Sequence, residues 1–134
     1  MERLILDSGA LIALERGINP EIDVLPADAD VVMSAVTASE LIVGIELADD
    51  QRRERRQRIV EGLLELIEVV PFDLQIAGHH ATLLAHCRRA GQPRGAHDLQ
   101  IAATARATSR TLVTTEAHAF DDLPGVVARL LRLT

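Results

Sequence analysis

The sequence predicts an α/β fold with a mainly parallel central sheet and helices on both of its faces. The alternation of strand and helix patterns along the chain predicts it. Short apolar runs, beginning with residues 4–6, alternate along the chain with longer segments of helical periodicity. Such alternation implies right-handed βαβ units and a parallel sheet. At 134 residues the chain also suits one domain, residues 1–134, with one hydrophobic core.

The first half of the chain predicts two strands and three helices. Residues 4–6 form the first strand, and the stretch SGALIALERG after them is a short helix closed by Gly17. The stretch INPEIDVLPADAD contains two prolines and predicts a turn, with or without a short helix, and a loop before a strand at residues 31–33. A helix over residues 37–48 begins with Thr-x-x-Glu, the capping-box pattern. The stretch DDQRRERRQRIVEGLLELIE predicts a second helix, which completes a helical hairpin.

The second half continues the alternation of strands and helices. A third strand at residues 69–71 precedes a long helix over residues 73–90, which ends in the loop AGQPRG. The stretch AHDLQIAATARATS predicts a mostly buried, alanine-rich helix. After it, TLVTT predicts a strand, EAHAFDDLPG a loop with a helical turn, and VVARLLRL a closing strand.

Composition excludes several classes of protein. The chain has two Phe and neither Tyr nor Trp, which disfavours a base-stacking surface, and its net charge of −6 disfavours coating of nucleic acid by overall charge. All 14 basic residues are Arg, so a phosphate-binding loop with its lysine is excluded. The single cysteine excludes an internal disulfide and a thiolate zinc site. Without a signal-peptide pattern or a membrane-spanning apolar run, we expect a cytoplasmic protein with no membrane partner.

Four carboxylates share one kind of position, at the end of a strand or in the first turn of a helix: Asp7, Glu40, Asp98 and Glu116. Each has a purely structural alternative, as an N-cap, as the capping-box partner of Thr37, or as an acid favoured by the helix dipole. Independent caps have no reason to converge. The strands of a parallel sheet, in contrast, end along one edge, where α/β proteins build their ligand sites. We therefore expect the four acids to meet in one cleft.

Carboxylates that crowd together raise one another's pKa unless cations lie between them. Oxygen donors without His or Cys suit Mg²⁺ or Mn²⁺. A divalent ion in such a cleft can deprotonate a water molecule and neutralise the charge that develops on a phosphodiester. The sequence therefore predicts a metal-dependent site of phosphodiester chemistry.

Several polar side chains near the acids are candidate helpers. The Ser8 hydroxyl can orient a carboxylate or a water molecule, and Thr114 and Thr115 can do the same. His97 and His118 are weaker candidates, since neighbouring residues on a helix point about 100° apart and His97 directly precedes an acid.

The arginines form two clusters that are candidate contacts to the phosphates of a polyanion. The alternative is that both clusters are solvated helix surfaces. The candidate residues are Arg52, Arg53, Arg55 and Arg56 in the stretch RRERRQR, and Arg88, Arg89 and Arg94 further along the chain.

The order of these motifs resembles that of PIN-domain ribonucleases of the VapC toxin type, over essentially the whole chain. The stretch LILDSGALIAL is similar to the family's opening strand and first acid, Asp7, with its small hydroxyl neighbour Ser8. The stretches SAVTASELIVGI and AHDLQIAATA resemble the second and third motifs, with Glu40 and Asp98 as their acids. The stretch LVTTEAHAFDDLPGV resembles the fourth motif, whose hydroxyl position is Thr114.

Two positions depart from the family's pattern, both in the fourth motif. The acid there is more usually Asp or Asn, and Glu116 is one methylene longer than Asp. Ala119 stands before Phe120, where the family often has a further acid. The predicted catalytic acids are Asp7, Glu40, Asp98 and Glu116, of which the first three are the metal ligands and the fourth is auxiliary. Ser8 and Thr114 are predicted to order the surroundings of the ion.

The resemblance implies a PIN-like three-layer α/β/α sandwich with a protruding helical hairpin. It implies a Mg²⁺- or Mn²⁺-dependent endoribonuclease that hydrolyses phosphodiester bonds in cellular RNA and slows translation. It also implies a homodimer and a cognate VapB-type antitoxin, which binds the cleft and a groove of the hairpin at residues 38–66.

Three other classes of protein are alternatives to a PIN-domain ribonuclease. A PIN-like protein that binds RNA or a partner without cutting is the main alternative. A signalling receiver domain requires a lysine, which the chain lacks, and an Asp-x-Asp hydrolase requires an acid where Gly9 stands.

Overall fold

The computed structural model of the protein describes residues 1–17 and 26–132. Its elements follow the predicted alternation: β1 (Arg3–Leu6), α1 (Ser8–Glu15), β2 (Asp30–Ser34), α2 (Ala35–Glu46), α3 (Asp50–Leu66), β3 (Glu68–Val70), α4 (Leu74–Ala90), α5 (Ala96–Ala107), β4 (Thr111–Thr114), the 3₁₀ turn η1 (Ala117–Phe120) and β5 (Ala128–Leu130). Most of the loop predicted before β2 lies outside the described residues, as does the end of the predicted closing strand.

Five parallel strands form one sheet in the order β3-β2-β1-β4-β5. From β1 the chain moves outward through β2 to β3, and then crosses to the other side of β1 to form β4 and β5. The direction of winding therefore reverses between β1 and β4. Open α/β sheets form a crevice outside the carboxyl ends of their strands at such a switch point.

Side chains of the central strands alternate between two hydrophobic cores, because successive residues of a strand point to opposite faces of the sheet. Ile5 and Leu112 pack with α4 and α5 on one face. Leu4, Met33 and Val113 pack with α1, α2 and α3 on the other. Helices thus cover both faces, which confirms the three-layer α/β/α sandwich with a helical hairpin, α2 and α3.

The hairpin begins earlier than its sequence pattern predicts. The N-cap of α2 is Ser34, whose hydroxyl accepts a hydrogen bond from the Thr37 N–H at 3.1 Å. The capping-box interpretation of Thr37 and Glu40 is therefore wrong, since Glu40 lies in the second turn of α2. The closing strand is also shorter than predicted, with β5 limited to Ala128–Leu130.

The connection between α4 and α5 returns the chain to the carboxyl edge of the sheet. Helix α4 begins at Asp73, whose carboxylate accepts a hydrogen bond from the Ile76 N–H at 2.9 Å. It ends at Gly91, whose φ of 65° is a left-handed conformation that glycine adopts without a steric penalty. Because α5 leads into the parallel strand β4, the first turn of α5 lies at the edge where β1 and β4 end. None of the helices in the described residues is both long enough and apolar enough to cross a membrane.

Packing between α4 and α5 is expected to contribute strongly to stability, and Leu83 tests this. Its side chain is fully buried in the core on that face. Leu83→Ala is expected to lower the free energy of unfolding by about 2–5 kcal/mol, because it removes buried apolar contacts and leaves a cavity. Chemical denaturation measures the change. The matched control is Leu74→Ala on the same helix, where the side chain is 88% exposed; a change there beyond about 0.5 kcal/mol would contradict this account.

Candidate active site

Asp7 directly follows β1 at the switch point and has two structural roles. It is the N-cap of α1, and its Oδ1 accepts a hydrogen bond from the Ala10 N–H at 2.9 Å. Its Oδ2 accepts a hydrogen bond from the Thr114 hydroxyl at the end of β4. The N-cap role that the sequence offered as a structural alternative for Asp7 is therefore correct. This role is compatible with a position at the mouth of the crevice.

The chain that leaves β4 is tied to Asp7 through one buried hydroxyl. Thr114 is fully buried, and its Oγ1 accepts a hydrogen bond from the Glu116 N–H at 3.0 Å. Glu116 occupies the N-cap position of η1, but its carboxylate makes no capping hydrogen bond. The Glu116 carboxylate is therefore not used as a helix cap.

Glu40 joins the same region from α2 and contacts two other helices. The Ser8 hydroxyl on α1 donates a hydrogen bond to Glu40 Oε2 at 3.4 Å. His97 Nδ1 on α5 lies 3.9 Å from Glu40 Oε1, and the His97 side chain is 60% exposed. In the sequence His97 is related only to its neighbour Asp98, and no local pattern indicates this contact with an acid on another helix.

Asp98 lies in the first turn of α5, as predicted. Its carboxylate folds back over the start of the helix, where a Cβ atom placed at Gly95 would lie 3.2 Å from Asp98 Oδ2. A side chain at position 95 would therefore crowd the carboxylate.

The electrostatic interactions show that the four acids share one environment. Burial is the largest cause that raises the pKa of Asp7, and hydrogen bonds from Thr114 and Ala10 oppose the shift while the charge of Glu116 adds to it. Burial also raises the pKa of Asp98, and the negative charges of Asp7 and Glu116 raise it further, against His97 and Arg94.

Glu40 belongs to the same group of coupled charges. Burial again raises its pKa, His97 and the hydroxyl of Ser8 lower it, and the charges of Asp98 and Asp7 raise it. Strand order thus brings together acids that are separated by as many as 109 positions in the sequence.

The donor set has the chemistry of a site for a hard divalent cation, since it consists of carboxylate and hydroxyl oxygens that carry excess negative charge. Over residues 1–17 and 26–132, however, no group of three or more His, Cys, Asp or Glu side chains is arranged to hold a metal ion. The acids therefore fit a divalent ion in chemistry and charge, without forming a ready-made ligand shell. The ligand set of Asp7, Glu40 and Asp98 stays a prediction.

The predicted arginine contacts lie on different elements. Arg52, Arg55 and Arg56 line a pocket between α1, α2 and α3, whose walls also include Leu41 and Val60. Arg53, on the same helix as these three, donates hydrogen bonds to the carbonyls of Ile45 and Ala48. Arg88 and Arg89 are exposed in the last turn of α4, where positive charge is favoured by the helix dipole. Arg94, in contrast, is half-buried in the loop before α5.

Fold and site together define an α/β protein with a cleft of coupled carboxylates at the switch point of a parallel sheet. The family model for the PIN domain matches residues 4–126. The chain is 34% identical over 94 residues to the tRNA(fMet)-specific endonuclease VapC of Salmonella typhimurium, an alignment that covers 70% of each protein. It is 30% identical over 95 residues to the toxin FitB of Neisseria gonorrhoeae, with 68% of each covered.

Solved structures show the same likeness. The VapBC-5 complex of Mycobacterium tuberculosis contains a chain with a TM-score of 0.82 and 26% identity, covering 98% of this chain and 100% of the other. A chain of the DNA-bound VapBC complex of Salmonella typhimurium has a TM-score of 0.81 and 28% identity, with 96% and 98% covered. This chain therefore belongs to the PIN-domain family and, within it, to the VapC ribonucleases.

The raised pKa of Asp7 predicts how stability depends on pH. A carboxyl group with a raised pKa in the folded state stabilises the protein fully below its unfolded pKa of about 3.9, and this contribution is lost as the pH rises through the folded value. Asn can replace Asp as an N-cap but cannot ionise. Asp7→Asn is therefore expected to raise the melting temperature at neutral pH in the presence of chelator, with little change in acid.

Thermal unfolding from acid to neutral pH measures this effect. Asp28→Asn, in an exposed loop, removes the same charge away from the cleft and serves as the control. A melting temperature that falls at neutral pH in Asp7→Asn would show that the cost of burying an ionised Asp7 carboxylate is not the dominant effect.

Proposed function

We propose that this chain is the toxin of a type II toxin–antitoxin pair and acts as a divalent-metal-dependent endoribonuclease. The observation that carries the proposal is the electrostatic coupling of Asp7, Glu40, Asp98 and Glu116 at the switch point of a VapC-family chain. The names of relatives support it, since the Salmonella protein is a tRNA(fMet)-specific endonuclease and a Rickettsia bellii relative is a ribonuclease. The proposed substrate is cellular RNA, whether transfer, ribosomal or messenger.

Mg²⁺ or Mn²⁺ is the proposed cofactor. Asp7, Glu40 and Asp98 would hold the ion, with Glu116 as an auxiliary ligand. When bound, the ion supplies a water molecule of lowered pKa and offsets negative charge on the phosphodiester.

The chain's own hydroxyl groups orient the acids for this role. Ser8 donates to Glu40, and Thr114 donates to Asp7, so one oxygen of each carboxylate is held by a hydroxyl. Outer contacts of this kind fix the direction of a ligating group. The proposed contacts to RNA phosphates are the exposed arginines of α3 and α4, which would make RNA binding depend on salt.

A second candidate function is binding of RNA or a protein partner without cleavage. Ala119, where the resemblance has an acid, packs against the hydrophobic core and supplies no carboxylate. The described residues also lack a ready-made metal ligand shell. These two observations favour the second candidate, and an assay of RNA cleavage distinguishes the two.

Asp98→Asn is expected to reduce RNA cleavage by more than about 100-fold, which exceeds the 10- to 100-fold loss typical when an outer contact of a metal site is removed. The substitution removes one negative donor and keeps the size of the side chain. The assay incubates the purified chain with total or transfer RNA and either Mg²⁺ or Mn²⁺, with chelator as a parallel reaction.

Asp28→Asn is again the control and is expected to cleave as the wild type does. Cleavage that survives both chelation and Asp98→Asn would contradict the proposed metal dependence. A wild-type chain that binds RNA but leaves it intact with both ions would support the second candidate.

We also propose that the antitoxin covers a groove beside the helical hairpin. The groove lies between α1 and α3 and is lined mainly by apolar side chains: Leu11, Leu14, Ile59, Leu63, Leu66 and Ile67. Such a surface fits the apolar face of an amphipathic helix. The similar chains of Mycobacterium and Salmonella were solved within VapBC complexes, which supports an antitoxin as the occupant. The homodimer stays a prediction, for which light scattering is the test.

Leu66→Glu is expected to weaken antitoxin binding by at least about 10-fold, because it places a charge in the apolar groove. Leu66 is 86% exposed, so the fold should tolerate the substitution. Calorimetry with the cognate antitoxin measures the affinity. Leu74→Glu, at an equally exposed leucine on α4, is the control; equal affinities of the two variants would place the antitoxin elsewhere.

A further inference from the structure

Arg94 bridges two segments that carry acids of the cleft. It lies in the loop that precedes α5, four residues before Asp98. Its Nη1 donates a hydrogen bond to the His118 carbonyl at 2.8 Å, and its Nη2 donates one to the Asp121 carbonyl, also at 2.8 Å. A single guanidinium therefore holds the end of η1, the turn that begins after Glu116.

These hydrogen bonds satisfy carbonyls that the short turn leaves at its carboxyl end. The last carbonyls of a helix have no partners within the helix, and arginine is one of the side chains that supplies them. Asp121, the C-cap of η1, donates its N–H to the His118 carbonyl at a longer distance of 3.4 Å. The guanidinium thus provides the shorter hydrogen bond to the His118 carbonyl.

The other end of the same turn is tied to the first acid. Glu116 N–H donates to Thr114 Oγ1, and the Thr114 hydroxyl donates to Asp7. The segment from Glu116 to Asp121 is therefore fastened at its start to β1 and β4, and at its end to the loop before α5. Phe120 also anchors this segment in the hydrophobic core, so removing the Arg94 contacts would loosen its end against the loop before α5 without detaching it.

We propose that Arg94 is a positioning residue, which fixes the Glu116 segment against the start of the Asp98 helix, and that RNA binding is not its main role. The sequence groups Arg94 with Arg88 and Arg89 as candidate phosphate contacts. Those two side chains are exposed, whereas Arg94 is half-buried and directs two of its donors to backbone carbonyls.

Two substitutions separate positioning from charge. Arg94→Lys keeps the charge but cannot donate in the two-pronged geometry of a guanidinium, and Arg94→Met removes both charge and donors. Arg3→Met is the control, because Arg3 is an exposed arginine at the start of β1, at the opposite edge of the sheet. The measurements are kcat and KM for RNA cleavage, and amide hydrogen exchange of residues 117–122.

Both Arg94 variants are expected to lower kcat by about 10- to 100-fold with KM unchanged, since small displacements of reacting groups have effects of this size. Exchange of the 117–122 amides should become faster in both variants and stay unchanged in Arg3→Met. A raised KM with unchanged kcat, and its recovery in Arg94→Lys, would show that Arg94 binds RNA and would overturn the proposal. Unchanged exchange, or unchanged kcat despite faster exchange, would also overturn it.

The kinetic part of this inference rests on the proposed function, but the exchange measurement does not. If the wild-type chain cleaves no RNA, the proposed function fails, and hydrogen exchange alone decides whether Arg94 holds the segment. If Arg94→Met does not fold, Arg94→Lys and Arg94→Gln carry the test.

Discussion

The candidate site depends on one constraint, the reversal of strand order between β1 and β4. Because all five strands are parallel, every strand ends at the same edge. Open α/β sheets form a crevice where the strand order reverses, which here lies between β1 and β4. Asp7 follows one of these strands and Glu116 the other. Glu40 enters from the helix after β2, and Asp98 from the start of the helix that precedes β4. Without the crossover from β3 to β4, these acids would have no common cleft.

The cleft concentrates negative charge where burial already opposes ionisation. Burial and mutual repulsion raise the pKa values of Asp7, Glu40 and Asp98, so the site opposes folding at neutral pH. The two hydrophobic cores of the sandwich offset this effect by burying residues on both faces of the sheet. The same groups serve the local structure and the site. Asp7 caps α1, and the hydroxyls of Thr114 and Ser8 orient Asp7 and Glu40.

Sequence patterns predicted most of the fold and which acids lie near one another, but not the contacts that hold them. Asp7 and Asp98 were predictable because strand ends and first helical turns have local signals. Glu40 was predicted as a first-turn acid and as the acid of the second motif, with a capping box as its structural alternative. It lies instead in the second turn of α2, because the N-cap is Ser34 and not Thr37. The contacts of Arg94 with η1 join residues 24 and 27 positions apart. Their proximity depends on strand order, which no local pattern specifies.

We propose that these distant carboxylates form one cleft whose excess negative charge favours the binding of a divalent cation. The most direct test of this proposal is a titration of the purified chain with Mn²⁺ at neutral pH, with free Mn²⁺ followed by electron paramagnetic resonance. The account predicts saturable binding by the wild type that is weakened by at least about 10-fold in Asp7→Asn and in Asp98→Asn. Absence of binding, or equal binding by the two variants and the wild type, would contradict it.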